Sequence, residues 1–303
     1  MFRSLLLYVS EREGPKKLLT GNPLGRRLAS RFIAGEGLED ALRVIRRLNG
    51  EGFKVTLDCL GESVHEAAAA EGACQTYLQL LDRLAAEKLD SHVSVKLTQL
   101  GLAIDEGLAR RNLGLLAKSA AQHHNFVRVD MEGSAFTDST LRVFCAVDAP
   151  REVVGIAIQS YLRRTAADVE ELLKRGVRIR LVKGAYKEPP DVAFAQKREV
   201  DRSYQELTEK LLESGIYHAI ATHDERIIGA TERFAHENGI APDRFEFQLL
   251  YGIRRDLQRA LIQRGWRVRL YVPYGPEWYA YFMRRLAERP ANLFFVMRNL
   301  LRQ

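Results

Sequence analysis

The sequence predicts an α/β fold of the (β/α)8 TIM-type barrel class, preceded by a short helical extension. Eight short apolar runs recur along the chain, a segment with helical spacing separates each run from the next, and nearly every run ends on a polar residue. Strands that occur singly between helices form parallel sheets with right-handed crossovers. Because the carboxyl ends of barrel strands form the active-site face, the polar residues there predict a functional site.

The predicted elements follow one another along the chain. Residues 1–50 form the helical extension, because apolar residues recur there at helical spacing: Leu38, Ala41, Leu42, Ile45 and Leu48. Residues 51–303 form the barrel. Its eight strands end on, or just before, Asp58, Lys96, Asp130, Gln159, Lys183, Thr222, Gln248 and Pro273. The helices are predicted at 62–89, 105–123, 137–148, 161–175, 192–214, 225–238, 254–264 and 276–288.

Length and composition narrow the class of protein. A chain of 303 residues with 46% hydrophobic residues suits one barrel with a filled core. The net charge of +7 allows contact with an anionic membrane, but it also fits a solvated basic surface, and no nucleic-acid motif is present. Cys59, Cys74 and Cys145 lack metal-ligand spacing and predict buried thiols in a reducing compartment. Without a convincing secretory signal or membrane-spanning run, we expect a cytoplasmic protein, and peripheral contact with the inner face of the cytoplasmic membrane stays open.

The last predicted helix carries charged residues on one face. Tyr281, Arg284, Arg285 and Glu288 share that face, because residues three and four apart are neighbours on a helix. Guanidinium groups bind carboxylates through paired hydrogen bonds, so the two arginines predict a clamp for an acidic group of a substrate. Taken alone, the pattern favours the simpler interpretation of an exposed, salt-bridged helix face.

The fifth predicted strand ends in a cationic segment with a glycine. Arg180 and Lys183 lie around the end of that strand, and Gly184 would let a ligand approach the backbone closely. Neighbouring strands end on neutral hydrogen-bonding groups, namely Gln159, Thr222, His223 and Gln248. This mixture of cationic, amide, hydroxyl and imidazole groups suits a polar heterocycle better than it suits a metal ion.

Lysines and carboxylates at other strand ends leave several chemistries open. Lys96 and Lys183 each follow a strand, where a lysine can form a Schiff base, bind a phosphate or pair with a ligand charge. Asp58, Asp130 and Glu288 are too scattered in sequence to predict an acid–base pair. No Gly-x-Gly-x-x-Gly motif follows a strand and no P-loop is present, which argues against a Rossmann nucleotide domain.

Several blocks in a set order resemble the proline dehydrogenase family. They are VKLTQLG at 95–101, VDME at 129–132, QSYL at 159–162, RLVKGAY at 180–186, ATHD at 221–224, FEFQ at 245–248 and YFMRRLAE at 281–288. Each block alone is weak, but together they are specific, and the resemblance extends across nearly the whole barrel, roughly residues 53–299. The chain is most similar to the monofunctional bacterial form, since no aldehyde dehydrogenase domain follows the eighth helix.

The resemblance implies a reaction, a cofactor and site residues. The reaction is FAD-dependent oxidation of L-proline to 1-pyrroline-5-carboxylate in proline catabolism, with hydride transfer to flavin N5 and electrons passed to a quinone. Arg180, held by Asp130, would lie near the reactive flavin nitrogen. The implied substrate-binding residues are Lys96, Tyr271, Tyr281, Arg284, Arg285 and Glu288. The implied flavin-binding residues are Met131, Gln159, Arg180, Lys183, Gly184, Ala185, Thr222, His223 and Gln248.

Other classes of protein share parts of this pattern. A flavin barrel resembling methylenetetrahydrofolate reductase has the same architecture, but it gives no reason for paired arginines on the last helix. A Schiff-base aldolase would use Lys96 or Lys183 and would be colourless when purified. A non-catalytic binding barrel would not need so many polar groups at the strand ends. The fold class alone does not decide among these.

Overall fold

A computed structural model describes residues 29–61 and 64–288 of the chain. Eight parallel strands close into a barrel, in which each strand pairs with its sequence neighbours and β8 pairs with β1. The strands are β1 (Lys54–Cys59), β2 (Ser91–Lys96), β3 (Val127–Asp130), β4 (Val154–Gln159), β5 (Ile179–Val182), β6 (His218–Ala221), β7 (Phe245–Leu250) and β8 (Val268–Tyr274). The predicted fold class is confirmed.

The helices surround the barrel. Within the described residues, one helix precedes the barrel and one follows each strand, namely α1 (Leu38–Gly50), α2 (Ala67–Ala86), α3 (Glu106–Gln122), α4 (Thr137–Ala146), α5 (Thr165–Lys174), α6 (Lys197–Glu213), α7 (Glu225–Glu237), α8 (Arg255–Gln263) and α9 (Trp278–Glu288). Local signals explain several boundaries. Asp105, for example, caps α3 by accepting a hydrogen bond of 2.7 Å from the Leu108 amide.

The described part of the predicted extension consists of a turn, an irregular segment and α1. The helix begins only at Leu38, and it buries Ala41, Leu42, Ile45 and Leu48 as the helical spacing predicts. Ahead of it, Phe32 and its neighbours pack in an apolar cluster with the aromatic residues of α9. Residues 1–28 lie outside the described part of the chain, so the boundary at residue 50 stays a prediction.

The interior of the barrel is polar. Side chains alternate along a strand, so Val127 and Val129 of β3 join the apolar core while Arg128 and Asp130 point inward. Barrel interiors are usually filled with branched apolar residues. Here hydrogen bonds cross the interior from Asp130 through Arg180 and Gln248 to Glu246. The polar strand ends are therefore the outer layer of a polar column.

The burial of the three cysteines agrees only in part with the sequence-based prediction. All three are free thiols, but only Cys74 is buried, while Cys59 and Cys145 are partly exposed. Cys59 is the last residue of β1, and Cys145 lies near the end of α4, so neither is covered on all sides. The prediction of three buried thiols was wrong for these two.

Candidate active site

A carboxylate pair surrounds Lys96 at the carboxyl end of the barrel. The Nζ atom of Lys96 lies 3.3 and 3.2 Å from the two carboxylate oxygens of Asp58, and 4.0 Å from Asp130 Oδ2. Lys96 ends β2 and lies opposite Asp130, which ends β3, while Asp58 is the next-to-last residue of β1 and lies opposite Ser94 of β2. Sequence spacing did not predict that Asp58 and Asp130 would meet, yet the structure brings both to one ammonium group.

Arg180 is held from three sides in the middle of the barrel. It donates to Asp130 Oδ1 at 2.5 Å, to Gln248 Oε1 at 2.6 Å and to Ser94 Oγ at 3.0 Å. Its neighbours in the adjacent strands are Ala157 and Ala219, whose small side chains leave space for the guanidinium. Only 3% of Arg180 is exposed. A buried cation with this many partners has a single orientation.

Tyr271 completes this group from β8. Its hydroxyl donates to Asp130 Oδ2 at 2.8 Å, and its ring lies 5.4 Å from the Arg180 guanidinium carbon. Burial, followed by the negative charges of Asp130 and Asp58, raises the pKa of Tyr271 well above its ordinary value. The phenol is therefore a neutral donor that orients the carboxylate of Asp130.

Asp58 differs from Asp130 in its electrostatic environment. Burial, assisted by the charge of Asp130, raises the pKa of Asp58, and the nearby Lys96 ammonium opposes that increase. The side chain is only 1% exposed. Sequence reasoning named Asp58 only as a polar strand end without a role, and it missed Ser94. Alternation could have found Ser94, because it lies two residues before Lys96 and therefore faces the same side of β2.

A second carboxylate contact fixes the two loops that follow β2 and β3. Glu132 accepts a hydrogen bond of 3.1 Å from the Thr98 amide and one of 2.6 Å from the Thr98 hydroxyl. Both residues are buried. This contact joins two of the sequence blocks that resemble proline dehydrogenases, so part of their specificity lies in loop structure next to Lys96 and Asp130.

Lys183 lies in an ion-pair cluster at the rim. Its Nζ atom is 2.6 Å from Asp201 Oδ1 and 3.0 Å from Asp224 Oδ2, and Lys197 also pairs with Asp201. Asp224 has a second role, because its other carboxylate oxygen caps α7 through the Arg226 amide. Asp201 and Lys197 come from α6, which is why the sequence around Lys183 did not reveal them.

The segment beside Lys183 leaves a cradle for a ligand. Gly184 has a φ of +113°, and a Cβ atom there would lie 2.3 Å from the Tyr161 ring, so the position requires glycine. Gln159 lies two residues before Tyr161 and is only 2% exposed. Its Oε1 atom has no hydrogen-bond partner among the described residues. A buried amide oxygen without a partner is costly, so this feature fits a bound group that donates to it.

The remaining predicted cofactor residues occupy varied surroundings. Met131 is buried in the apolar core, and Ala185 is exposed. The hydroxyl of Thr222 accepts a hydrogen bond of 3.1 Å from the Asp224 amide. His223 Nε2 accepts one of 3.0 Å from the Leu250 amide, which links the ends of β6 and β7. The contacts of Thr222 and His223 place both residues at the carboxyl end of the barrel. The roles of all four residues toward a flavin stay predictions.

The predicted clamp lies on α9. Arg285 stacks on the Tyr281 ring at 4.9 Å, as residues one helical turn apart can do, while Arg284 and Arg285 are both partly exposed. The aromatic residues of α9 pack on Phe32 and Ile33, which anchors the helix. The side chain of Glu288 lies outside the described residues, so its predicted pairing with the arginines stays a prediction.

Comparisons with known proteins identify the family. The sequence profile described as "Proline dehydrogenase" matches residues 41–298. "Proline dehydrogenase 2" of Bacillus subtilis (strain 168) is 41% identical over 98% of this chain and 98% of its own length. "Proline dehydrogenase" of Deinococcus radiodurans is 39% identical over 100% of this chain and 98% of its own length.

A solved structure agrees with these sequence relatives. The crystal structure of proline utilization A (PutA) from Bdellovibrio bacteriovorus inactivated by N-propargylglycine has a TM-score of 0.83 and 28% identity to this chain. The match covers 95% of this chain and 36% of that longer one. The chain belongs to the proline dehydrogenase family and is an oxidoreductase that oxidises proline in proline catabolism.

Proposed function

We propose that the flavin on which this family depends is FAD in this chain, bound over the carboxyl end of the barrel. The observation that carries the proposal is the buried Arg180 cation, held by Asp130, Gln248 and Ser94 beneath that end. The unpartnered Gln159 oxygen and the glycine-only position at Gly184 fit a ligand lying against β4 and β5. Lys183 suits a phosphate contact, with Met131, Ala185, Thr222, His223 and Gln248 as further flavin-binding residues.

Proline would lie between the barrel and α9. We propose that Arg284, Arg285 and Lys96 bind the substrate carboxylate, and that Glu288 orients the two arginines. Tyr271 and Tyr281 would form walls for the pyrrolidine ring. The partly exposed position of the arginines suits a site that must admit a substrate. Asp58 holds the Lys96 ammonium at 3.2 Å, so the lysine presents its charge from a defined position.

The chemistry follows from orientation and charge. With its carboxylate anchored, proline with a deprotonated amine would present ring carbon C5, and the nitrogen lone pair would form a C=N bond as hydride leaves C5. The resulting iminium would release its N–H proton to solvent, giving 1-pyrroline-5-carboxylate. When bound, the flavin supplies the acceptor of that hydride at N5. Arg180 places a fixed positive charge where negative charge develops, and Asp130 and Gln248 prevent it from turning away. The protein contributes geometry and an electric field.

We propose a quinone as the acceptor of the electrons and the cytoplasm as the location, with weak contact between the basic surface and anionic membrane. The net charge of +7 supports such contact. In the described ranges, no helix combines the length and apolar character that crossing a bilayer requires.

Stopped-flow mixing of reduced enzyme with a quinone analogue or NAD⁺ tests the proposed electron acceptor, and faster reoxidation by NAD⁺ would contradict it. Vesicle sedimentation at low salt tests the membrane contact, and an unbound protein would contradict that part.

A spectrum of the purified protein tests the proposed cofactor. We expect a yellow protein that releases FAD on denaturation and whose visible absorbance is bleached anaerobically by L-proline. NADPH serves as the matched control, because a reductase of the methylenetetrahydrofolate type would be bleached by the nicotinamide instead. Release of FMN would contradict the FAD proposal. A colourless protein in which borohydride attaches the substrate to a lysine would contradict flavin chemistry altogether.

A further inference from the structure

A second polar cavity lies at the opposite end of the barrel from the candidate active site. It has a volume of about 490 Å³, and its lining includes His92, Phe126, Arg128, Arg178 and Arg269, together with the acidic residues Asp90, Glu152 and Glu246. These residues lie at or just before the amino-terminal ends of the strands. The exposed residues Lys88 and His124 also line it, so solvent and small solutes can reach it. Its volume is in the range of small-molecule sites.

Arg128 is a buried cation that forms no ion pair with any of the described residues. It is 2% exposed, and among residues 29–61 and 64–288 no carboxylate oxygen lies within 4.0 Å of its guanidinium. Its Nη1 atom donates to the carbonyl oxygens of Arg178 at 2.6 Å and Ile156 at 3.3 Å, and its Nε atom has no described partner. Burying a charge in this way is costly unless an opposite charge compensates it.

The position of Arg128 is built into the fold. The guanidinium carbons of Arg128 and Arg178 lie 4.7 and 5.1 Å from the centre of the Phe126 ring. A Cβ atom on Gly155 would lie 2.7 Å from Arg128 Nη1 and 2.4 Å from the Arg178 carbonyl oxygen. The glycine therefore leaves the space that Arg128 fills, and the ring supports both guanidinium groups.

Arg178 and His92 provide further hydrogen-bond donors in the same cavity. In the described part of the chain, Arg178 donates to the Glu152 carbonyl oxygen at 3.1 Å and has no carboxylate within ion-pair distance. His92 is 7% exposed, and its Nε2 atom has no described hydrogen-bond partner. Burial, followed by the charge of Arg269, lowers the pKa of His92 well below its usual value, so the ring is neutral and can donate one N–H.

We propose that this cavity is a binding site for a small oxyanion, a phosphate or a short carboxylate, which Arg128, Arg178 and His92 would contact. Arg269 is a less suitable ligand residue because Glu246 already compensates its charge at 2.8 and 3.0 Å. Planar guanidinium groups bind oxyanions through directed hydrogen bonds, and within the described ranges neither Arg128 nor Arg178 has a carboxylate at ion-pair distance. The site is separate from the proposed substrate clamp on α9, so it does not depend on the assigned roles of that helix.

Titration of the flavin-loaded protein with inorganic phosphate, and separately with succinate, tests the site by calorimetry and thermal denaturation at constant ionic strength. We expect saturable binding of at least one of them, with a higher melting temperature. Arg178→Met should weaken that binding about tenfold or more, the loss expected for one charge-assisted hydrogen bond. Arg202→Met, which removes an exposed arginine of α6, should leave the affinity within about twofold.

Further variants locate the bound anion. Arg285→Met changes the opposite end of the barrel, and it should leave phosphate or succinate affinity unchanged. If the circular dichroism and flavin spectrum of Arg128→Met match those of the parent protein, this variant should not bind the anion. If Arg128→Met does not fold, the affinity of Arg178→Met decides the question. Absence of saturable binding of both anions would overturn the proposal. Loss of binding in Arg285→Met but not in Arg178→Met would overturn it as well.

Discussion

At the carboxyl end of the barrel, Lys96 and Arg180 lie against the carboxylates of Asp58 and Asp130. At the amino end, Arg128 and Arg178 are surrounded in the described structure by carbonyl oxygens and an aromatic ring. Arg128 and Asp130 both belong to β3, and Arg178 directly precedes β5, which carries Arg180. The paired cations have one orientation and suit catalysis, whereas the unpaired cations create a positive potential that suits a bound anion.

One ion pair belongs to both regions. Arg269 donates to both carboxylate oxygens of Glu246, and Gln248 links Glu246 to Arg180. Burial by itself would raise the pKa of Glu246, but the charge and hydrogen bonds of Arg269 outweigh it and lower the pKa to about 2. The amino end thus has an ion pair close to two arginines that form no ion pair in the described part of the chain, and this difference can be tested by substitution.

The largest effect is expected from breaking that pair. Glu246→Ala leaves the Arg269 charge buried without its partner, and we expect the free energy of unfolding to fall by about 3–5 kcal/mol. Urea denaturation followed by circular dichroism measures the change. Glu206→Ala is the matched control, because it removes an exposed partner of Arg202 and should cost less than about 1 kcal/mol. Equal losses in the two variants would contradict the importance of the buried pair.

A smaller effect is expected at the proposed clamp. Arg285→Met or Arg284→Met should raise the KM for proline about 30-fold, corresponding to roughly 2 kcal/mol for a charged contact in a partly exposed site. The flavin content should not change, since the proposed flavin contacts lie on the barrel. Steady-state kinetics with proline measure this, with Arg233→Met on α7 as a control for loss of one positive charge. A normal KM in both clamp variants would remove α9 from the substrate site.

The smallest effect is a pH dependence at the amino end. Burial, followed by the charge of Arg128, lowers the pKa of His218 from 6.5 to about 3. The unfolded chain binds a proton near the usual value, so this contribution to stability is complete above about pH 6.5 and declines as the pH falls toward about 3. From about pH 7.5 to about pH 5.5, we expect a loss of roughly 1 kcal/mol from this residue.

Denaturation at both pH values, in the parent protein and in His218→Asn, measures the contribution of His218. The amide replaces the hydrogen bond that the imidazole accepts from the Ile179 amide, but it does not titrate. His124→Asn is the control, because His124 is exposed and has a φ of +51°, a conformation that asparagine tolerates. The same pH dependence in His218→Asn as in the parent would show that His218 does not cause it.

The barrel was predictable from sequence because its signals are local. Eight apolar runs and the helices between them follow from period and composition, and the ends of these runs placed Lys96, Asp130 and Arg180 at one end of the barrel. Contacts that depend on closure were not predictable in this way. Asp58 meets Lys96 only because β1 lies in register with β2, and Asp201 meets Lys183 only because α6 folds back over β5.

The amino-end cavity was missed for a related reason. Arg128 and Arg269 stand between apolar residues within their strands, so alternation indicates that they point inward. Alternation does not reveal which of them has a carboxylate partner. Arg269 is paired because Glu246 lies on the neighbouring strand β7, whereas Gly155 and Arg178 flank Arg128 across β4. Compensation of charge inside the barrel depends on side-chain positions, which sequence spacing does not determine.

The most direct test of the central claim, that the buried Arg180 cation acts on a flavin at the carboxyl end, is the flavin midpoint potential in Arg180→Ala. We expect a lower potential and anaerobic reduction by L-proline that is slower by about 10²–10³-fold, because a preorganised positive charge no longer stabilises the reduced flavin. Arg180→Lys should recover part of the potential, which a purely structural role would not produce. An unchanged potential and reduction rate in Arg180→Ala would contradict the claim.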